Sequence, residues 1–397
     1  MRRVALVQQN FNLRGSLARE GFFLARFLVG RGFEVECYCD PTTRTALGGV
    51  RFHDVRPMLR SQARFAVPVE VASFAAAAGK AVRRNRSRHD VVYVTGTAAW
   101  EHDVIRAHAV MRAEQHRWPD RGGRTFRAAR LRAELSPALR PVVAVVRTIE
   151  RLQFRPGRFG AVLAVSEEVR RDLEGVHGVD PALIHVWPLP VDVERFAIAN
   201  GSSAVRNSLR VDDRVPLLLF VGHDFERKGL SEAIRALRDL DPPAHLVVVG
   251  DGDRRAFERI AEQESVRDRV HFVGGTDQPE SFFAAADAFV LPTREDVWGM
   301  AFVEAMAAGL PIVATEVAGA ADVVRSAAAG LIVRDGRPDE IRSAIGAILR
   351  NPSERRAMGE RGRVRAADYG IERFGEAALA AFGTAQTRAA ITEAVPT

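Results

Sequence analysis

Two carboxylates, Asp296 and Glu304, stand eight residues apart across Gly299 in the stretch 292–311, PTREDVWGMAFVEAMAAGLP. Upstream, Arg227 and Lys228 are adjacent cations before Gly229. Acids suit hydroxyls, whereas cations and the free N–H groups of a helix start suit phosphate. A ligand carrying both, such as a nucleotide-sugar, gives this combination a use. A departing diphosphate needs positive charge where its own charge grows. A second set, His102, Asp103 and His108, follows the apolar run Val91–Val94 and offers acceptor contact or proton handling. A Lys-Gly pair or two spaced acids are unspecific alone, and surface or helix-capping roles compete for each residue.

The elements that must position these groups follow from the apolar pattern. Ala288–Leu291 reads as a buried strand ending at Pro292, and Gly299 opens a helix closed by Gly309 and Pro311. Leu217–Val221 predicts another strand, running into the glycine turn that carries Arg227 and Lys228. The N-terminus predicts strand (Val4–Val7), turn, helix (Leu17–Arg31) and strand (Val35–Tyr38), a doubly wound opening. Gly15 and Ser16 sit at that helix entrance, where a glycine lets backbone approach a phosphate. Further strands are expected at 90–94, 162–165, 184–187, 246–249, 270–273, 312–314 and 331–333. Gly250 and Gly252 do not make a dinucleotide fingerprint, since the third glycine is missing. Pro188, Pro190 and Asp192 mark a linker.

A chain of 397 residues is long enough for two α/β domains. No apolar run reaches a membrane span, and the run after Arg3 is too short for a signal-peptide core. A cytoplasmic protein is therefore expected. Cys37 and Cys39, two apart in one strand, suit small core residues better than a disulfide. Net charge is +7, and Arg112–Arg158 alone holds twelve arginines against four acids. Few aromatics interleave them, which argues against nucleic acid. The functional reading is docking on an anionic membrane surface, peripheral to the inner face of the cell membrane, or on an anionic glycolipid; a solvated arginine-rich face is the plain alternative.

The run from Asp296 through Gly299 into Glu304-Ala-Met-Ala-Ala-Gly-Leu-Pro resembles the donor-site motif of retaining family 4 glycosyltransferases. In pattern the chain is nearest to the bacterial lipopolysaccharide-core glucosyltransferases. The family usually has Glu first; this chain has Asp296 with Glu295 beside it. The resemblance implies an α/β chain of the GT-B fold, two Rossmann-like doubly wound domains with the donor cleft between them. Residues 1–190 would be the acceptor-side domain and 191–370 the nucleotide-sugar domain, with 371–397 holding a last helix that returns to the first domain. It implies transfer of a hexose from a nucleoside-diphosphate sugar to a glycan or glycolipid hydroxyl in cell-envelope polysaccharide or lipopolysaccharide synthesis, with no cofactor and no metal. Gly15 and Ser16 match the family's Gly-Gly turn, and Lys228 its diphosphate lysine. His223 stands where an Arg is usual, a loss that Arg227 would make good. Val273 and Gly274 would meet the nucleobase and Glu304 the ribose. Asp296 or Glu295 would hold sugar hydroxyls, and Met300 and Ala301 would give backbone donors. Asp103 matches an Asp of the lipopolysaccharide branch, above His102 and His108 as a base. A non-catalytic nucleotide-sugar or polyanion binder, and a phosphorylase or epimerase on the same scaffold, are the rival readings.

Overall fold

The computed structural model describes residues 3–13, 16–58, 67–110, 140–197, 202–294, 296, 298–334 and 336–394. The chain divides into two compact units, Met1–Pro190 with Ile371–Thr397, and Val191–Gly370.

The first unit is built on strands β1 (Arg3–Val7), β2 (Glu34–Cys39), β3 (Val50–Asp54), β4 (Val91–Thr95), β5 (Val104–Ala107), β6 (Ala161–Ala164) and β7 (Ile184–Val186). They pair in parallel in the order β3-β2-β1-β4-β5-β6-β7. Both faces of such a sheet are covered, so its strands read as continuous apolar runs. On β1, Val4 and Leu6 join one core with Phe22, Leu28, Phe374 and Phe382, while Ala5 and Val7 join another with Phe74, Ala78 and Val82. Phe374 and Phe382 belong to the last helix, Ile371–Ala394, which lies on the first helix, Ser16–Gly30, and on β6. Cys37 and Cys39 are buried free thiols.

Three elements depart from the sequence expectation. β3 is a half-exposed edge strand, VRFHD, with no apolar run to announce it. β5 contains Arg106, which breaks the run although the residue is wholly buried. The helix Val67–Arg84 was hidden behind its basic C-terminal turn, Arg83 and Arg84.

The second unit carries β8 (Leu217–Val221), β9 (His245–Val249), β10 (Val270–Gly274), β11 (Ala288–Leu291), β12 (Ile312–Thr315) and β13 (Gly330–Val333). These are also all parallel, in the order β10-β9-β8-β11-β12-β13. In each unit the strand order reverses direction once, between β1 and β4 and between β8 and β11. The carboxyl ends of the strands at such a switch point are where open α/β sheets receive ligands.

Candidate active site

In the second unit, the switch point lies between the turn after β8 and the loop after β11. The β8 turn ends at Lys228 and Gly229; Gly229 has φ +76°, and a Cβ there would come 2.0 Å from the Pro292 carbonyl oxygen. The two loops are thus laid against each other. The Arg227 carbonyl ties them further, accepting from Arg294 N–H at 2.9 Å and from Thr293 Oγ1 at 3.3 Å. Lys228 Nζ donates to Asp296 Oδ2, and both side chains are 12% exposed. Gly229→Ala should cost about 3 kcal/mol in urea unfolding, because a strained φ and a backbone clash coincide.

Asp296 is held in turn. Its carbonyl accepts from Gly319 N–H at 2.9 Å. Its carboxylate lies against Gly299, where a Cβ would come 2.7 Å from Oδ2. Gly299 has φ +77° and precedes the helix Met300–Ala308, so the helix begins beside the Lys228–Asp296 pair. Glu304, one turn on, is 3% exposed on a helix otherwise of Ala, Val, Met and Phe. At the strand ends Gly250 N–H donates to the Gly274 carbonyl at 2.9 Å, and nothing lies within 4 Å of a Cβ built on Gly274. Val273 and Gly274 therefore close β10 beside open space at the same edge as Gly222, which follows β8.

Two side chains of the turn after β8 have partners within their own unit. Arg227 Nε is 3.1 Å from Asp224 Oδ2, so its charge is shared with an acid of its own turn. His223 is exposed and its Nδ1 accepts from Asp251 N–H at 3.2 Å. Glu295 and Gly15 lie outside the described residues, and Ser16 is described only as the first residue of its helix. Trp298 went unremarked in the sequence: it is buried and packs on Tyr369, ring centroids 5.2 Å apart, closing the loop before Gly299.

In the first unit, a cavity of about 370 Å³ sits at the carboxyl ends of β1, β4 and β5, lined among others by Gln8, Asn10, Thr95, His108, Glu150 and Phe154. His108 Nε2 is 2.8 Å from Glu20 Oε2, and Tyr93 donates to Glu20 Oε1 at 3.0 Å. Arg106 Nε lies 2.7 Å from the same Oε1, and its Nη1 donates to the Trp187 carbonyl at 2.6 Å. Burial alone would raise the Glu20 pKa, but the charges of Arg106 and His108 and bonds from His108 and Tyr93 bring it below the usual carboxyl value. Burial, with Glu20 opposite, pushes the Tyr93 phenol well up. A depressed folded pKa contributes stability that is full above the unfolded value and is lost as pH falls through the folded one. Unfolding in urea between pH 6 and pH 3 should therefore show a loss of stability that Glu20→Gln flattens.

Asp103 and His102 are not in this cavity, which corrects their expected roles. The loop after β4 returns to the amino edge of the sheet before β5 begins. There the Asp103 carboxylate pairs with Arg86 at 2.8 Å and accepts from Val92 N–H at 2.8 Å, beside the first residues of β4. Burial raises its pKa against the pull of Arg86 and the Val92 N–H. His102 is buried, with Nδ1 3.2 Å from the Trp100 carbonyl; burial lowers its pKa to about 4, against that contact. It is neutral at ordinary pH, and its ring protons should not titrate between pH 5 and pH 8 in an NMR series. Of the three, only His108 faces the carboxyl end.

Known sequences and structures resemble both units of the chain. The profile "Glycosyltransferase Family 4" matches residues 22–195 and "Glycosyl transferases group 1" matches residues 202–365. Lipopolysaccharide glucosyltransferase WaaG of Escherichia coli is 30% identical over 193 residues, 47% of this chain and 52% of that one. The chain thus matches about half the length of that curated relative. The crystal structure of WaaG, a glycosyltransferase involved in lipopolysaccharide biosynthesis, aligns with TM-score 0.76 at 24% identity, covering 94% of this chain and 98% of that one. Anabaena HepE in complex with UDP and glucose aligns with TM-score 0.69 at 16% identity, covering 97% of this chain and all of the other (100%). Among the described residues no helix is long and apolar enough to cross a membrane.

Proposed function

We propose, from the premise that this chain belongs to the family 4 glycosyltransferases of the GT-B fold, that it moves a hexose from a nucleoside-diphosphate sugar to a glycan or glycolipid hydroxyl with retention of configuration. The observation that carries the reading is the Lys228–Asp296 pair at the helix start beyond Gly299. It sets a cation, an acid and the amide dipoles of a helix start at one strand-end edge.

Lys228 and the amides of Met300 and Ala301 receive the diphosphate, with Arg227 released from Asp224 to join them. Glu304 takes the ribose hydroxyls, and Asp296 or Glu295 the sugar hydroxyls. Val273 and Gly274 flank the base. As the glycosidic bond to phosphate breaks, charge collects on the phosphate oxygens, where preorganised donors lower the barrier by about 3 kcal/mol each. With Asp103 at the far edge of its sheet, the proton of the attacking hydroxyl passes to a phosphate oxygen. His108, held by Glu20, orients the acceptor. No metal is called for by these donors, and turnover should survive chelation.

The likeness to WaaG and to a UDP-bound neighbour supports a nucleotide-sugar donor and a role in cell-envelope polysaccharide or lipopolysaccharide synthesis. The Arg112–Arg158 region, of which 112–139 lies outside the described residues, is proposed to hold the protein on the inner face of the cell membrane. Binding to anionic vesicles that weakens with salt and with Arg127→Glu and Arg130→Glu would support this; indifference to anionic lipid would remove it.

The test is a thermal-shift screen against nucleotide-sugars, followed by assay of nucleoside diphosphate release and NMR of the product anomer. A bound donor raises the unfolding temperature. A pure binder shows the shift with no release, and an inverted product overturns the retaining assignment.

A further inference from the structure

The second unit holds another cavity, of about 280 Å³, at the end of the sheet opposite the donor residues. Asp287, which precedes β11, Pro311, which precedes β12, and Phe283 line it. Arg355, Arg356 and Arg363, all from the helix Pro352–Ala366, line it as well. Met300 opens the donor helix at one end, and Ala308 and Gly309 bring its other end to this cavity.

The charges there do not balance. Asp287 is already matched by Arg206, a buried side chain whose Nη2 is 2.8 Å from Oδ2, and Leu217 N–H donates to the same oxygen at 2.9 Å. Arg206 is fully engaged, donating also to the carbonyls of Ala285, Asp212 and Val215. Arg355 therefore meets a carboxylate that has its counter-charge, with Nη1 3.2 Å from Oδ1. Arg363 donates to the Ala308 carbonyl at 3.1 Å, and Glu360 is 3.6 Å away. Arg356 is exposed and has no ion pair among the described residues. Glu354, the remaining acid of the helix's first turn, is taken by Arg361 at 2.7 Å. Three guanidinium groups lining one small cavity repel each other, and a bound anion lowers that cost.

We infer that this cavity is a second anion site of the protein, separate from the donor residues, and that it takes a small phosphate-bearing molecule. Guanidinium forks pair with phosphate oxygens two at a time and are weakly hydrated. The volume suits a diphosphate or the phosphate end of a hexose monophosphate better than a whole nucleotide-sugar, which needs a larger pocket. The inference stands on this cavity alone and does not depend on the transfer reaction.

The probes are inorganic pyrophosphate and a hexose monophosphate, titrated calorimetrically into the full-length Lys228→Ala chain, where the donor residues have lost their diphosphate cation. One of the two is expected to bind in the millimolar range or tighter and to raise the unfolding temperature. Arg355→Gln with Arg356→Glu should weaken that binding at least 10-fold. If the double variant does not fold, Arg356→Glu alone, a change at an exposed side chain, should give most of the loss. Absence of binding in the Lys228→Ala chain, or unchanged affinity in Arg356→Glu, overturns the assignment. Both readouts are binding, so an inactive enzyme would leave this result standing, and a failed titration would leave the proposed reaction untouched.

Discussion

Lys228→Ala should lower sugar transfer by about 10²–10³-fold, the usual effect of removing one preorganised donor from a site of developing negative charge. The substitution does two things that must be separated. It removes the cation proposed to meet the leaving diphosphate, and it strands Asp296, whose carboxylate is 12% exposed and loses the Nζ of Lys228. An uncompensated charge at that depth costs up to about 3 kcal/mol of stability. The double variant Lys228→Ala/Asp296→Asn should regain that stability while transfer stays low. Initial rates with the donor and urea unfolding, on both variants, decide the matter. Full recovery of rate in the double variant would reduce Lys228 to a counter-ion for Asp296.

Glu304→Ala is expected to be the second severe change, with a different signature. A carboxylate accepting from two ribose hydroxyls makes two charge-assisted hydrogen bonds, each worth about 1.5–3 kcal/mol. Their loss should reduce kcat/KM by about 10²–10⁴-fold. Glu304 sits at 3% exposure on the helix Met300–Ala308, and Ala is the best helix former, so the helix should stay formed in the variant. Such a split, activity lost and fold retained, is what distinguishes a site acid from a core acid. Glu304→Gln should recover part of the rate, since the amide oxygen still accepts. Unchanged turnover in Glu304→Ala would remove the ribose assignment and with it the donor site described here.

The sequence alone determined the buried parallel strands. Stretches such as Leu217–Val221 and Ala288–Leu291 are apolar on both faces because helices cover both faces, and that leaves a run no loop would carry. Gly299 and Gly309 bounded the helix Met300–Ala308 for a local reason, since each takes a left-handed φ at a helix end. The motif spacing therefore held the relation of Asp296 to Glu304 without any long-range contact. Strand β5 escaped because Arg106 breaks its apolar pattern. Its charge is tolerated at full burial because Glu20, 86 residues earlier in the chain, lies across from it and the Trp187 carbonyl accepts from its Nη1.

Pairings across distant residues were decided by tertiary structure. That Lys228 would meet Asp296, 68 residues on, depends on Gly229 fitting under the Pro292 carbonyl. Arg227 bonding Asp224 could not be read from charge order, since either neighbour is in reach of any flexible arginine. Asp103 and His108, five residues apart, fall at opposite ends of β5, because a four-residue strand separates them by its whole length. Sequence proximity grouped the two; the direction of one strand leaves only His108 at the carboxyl end, lining the first unit's cavity.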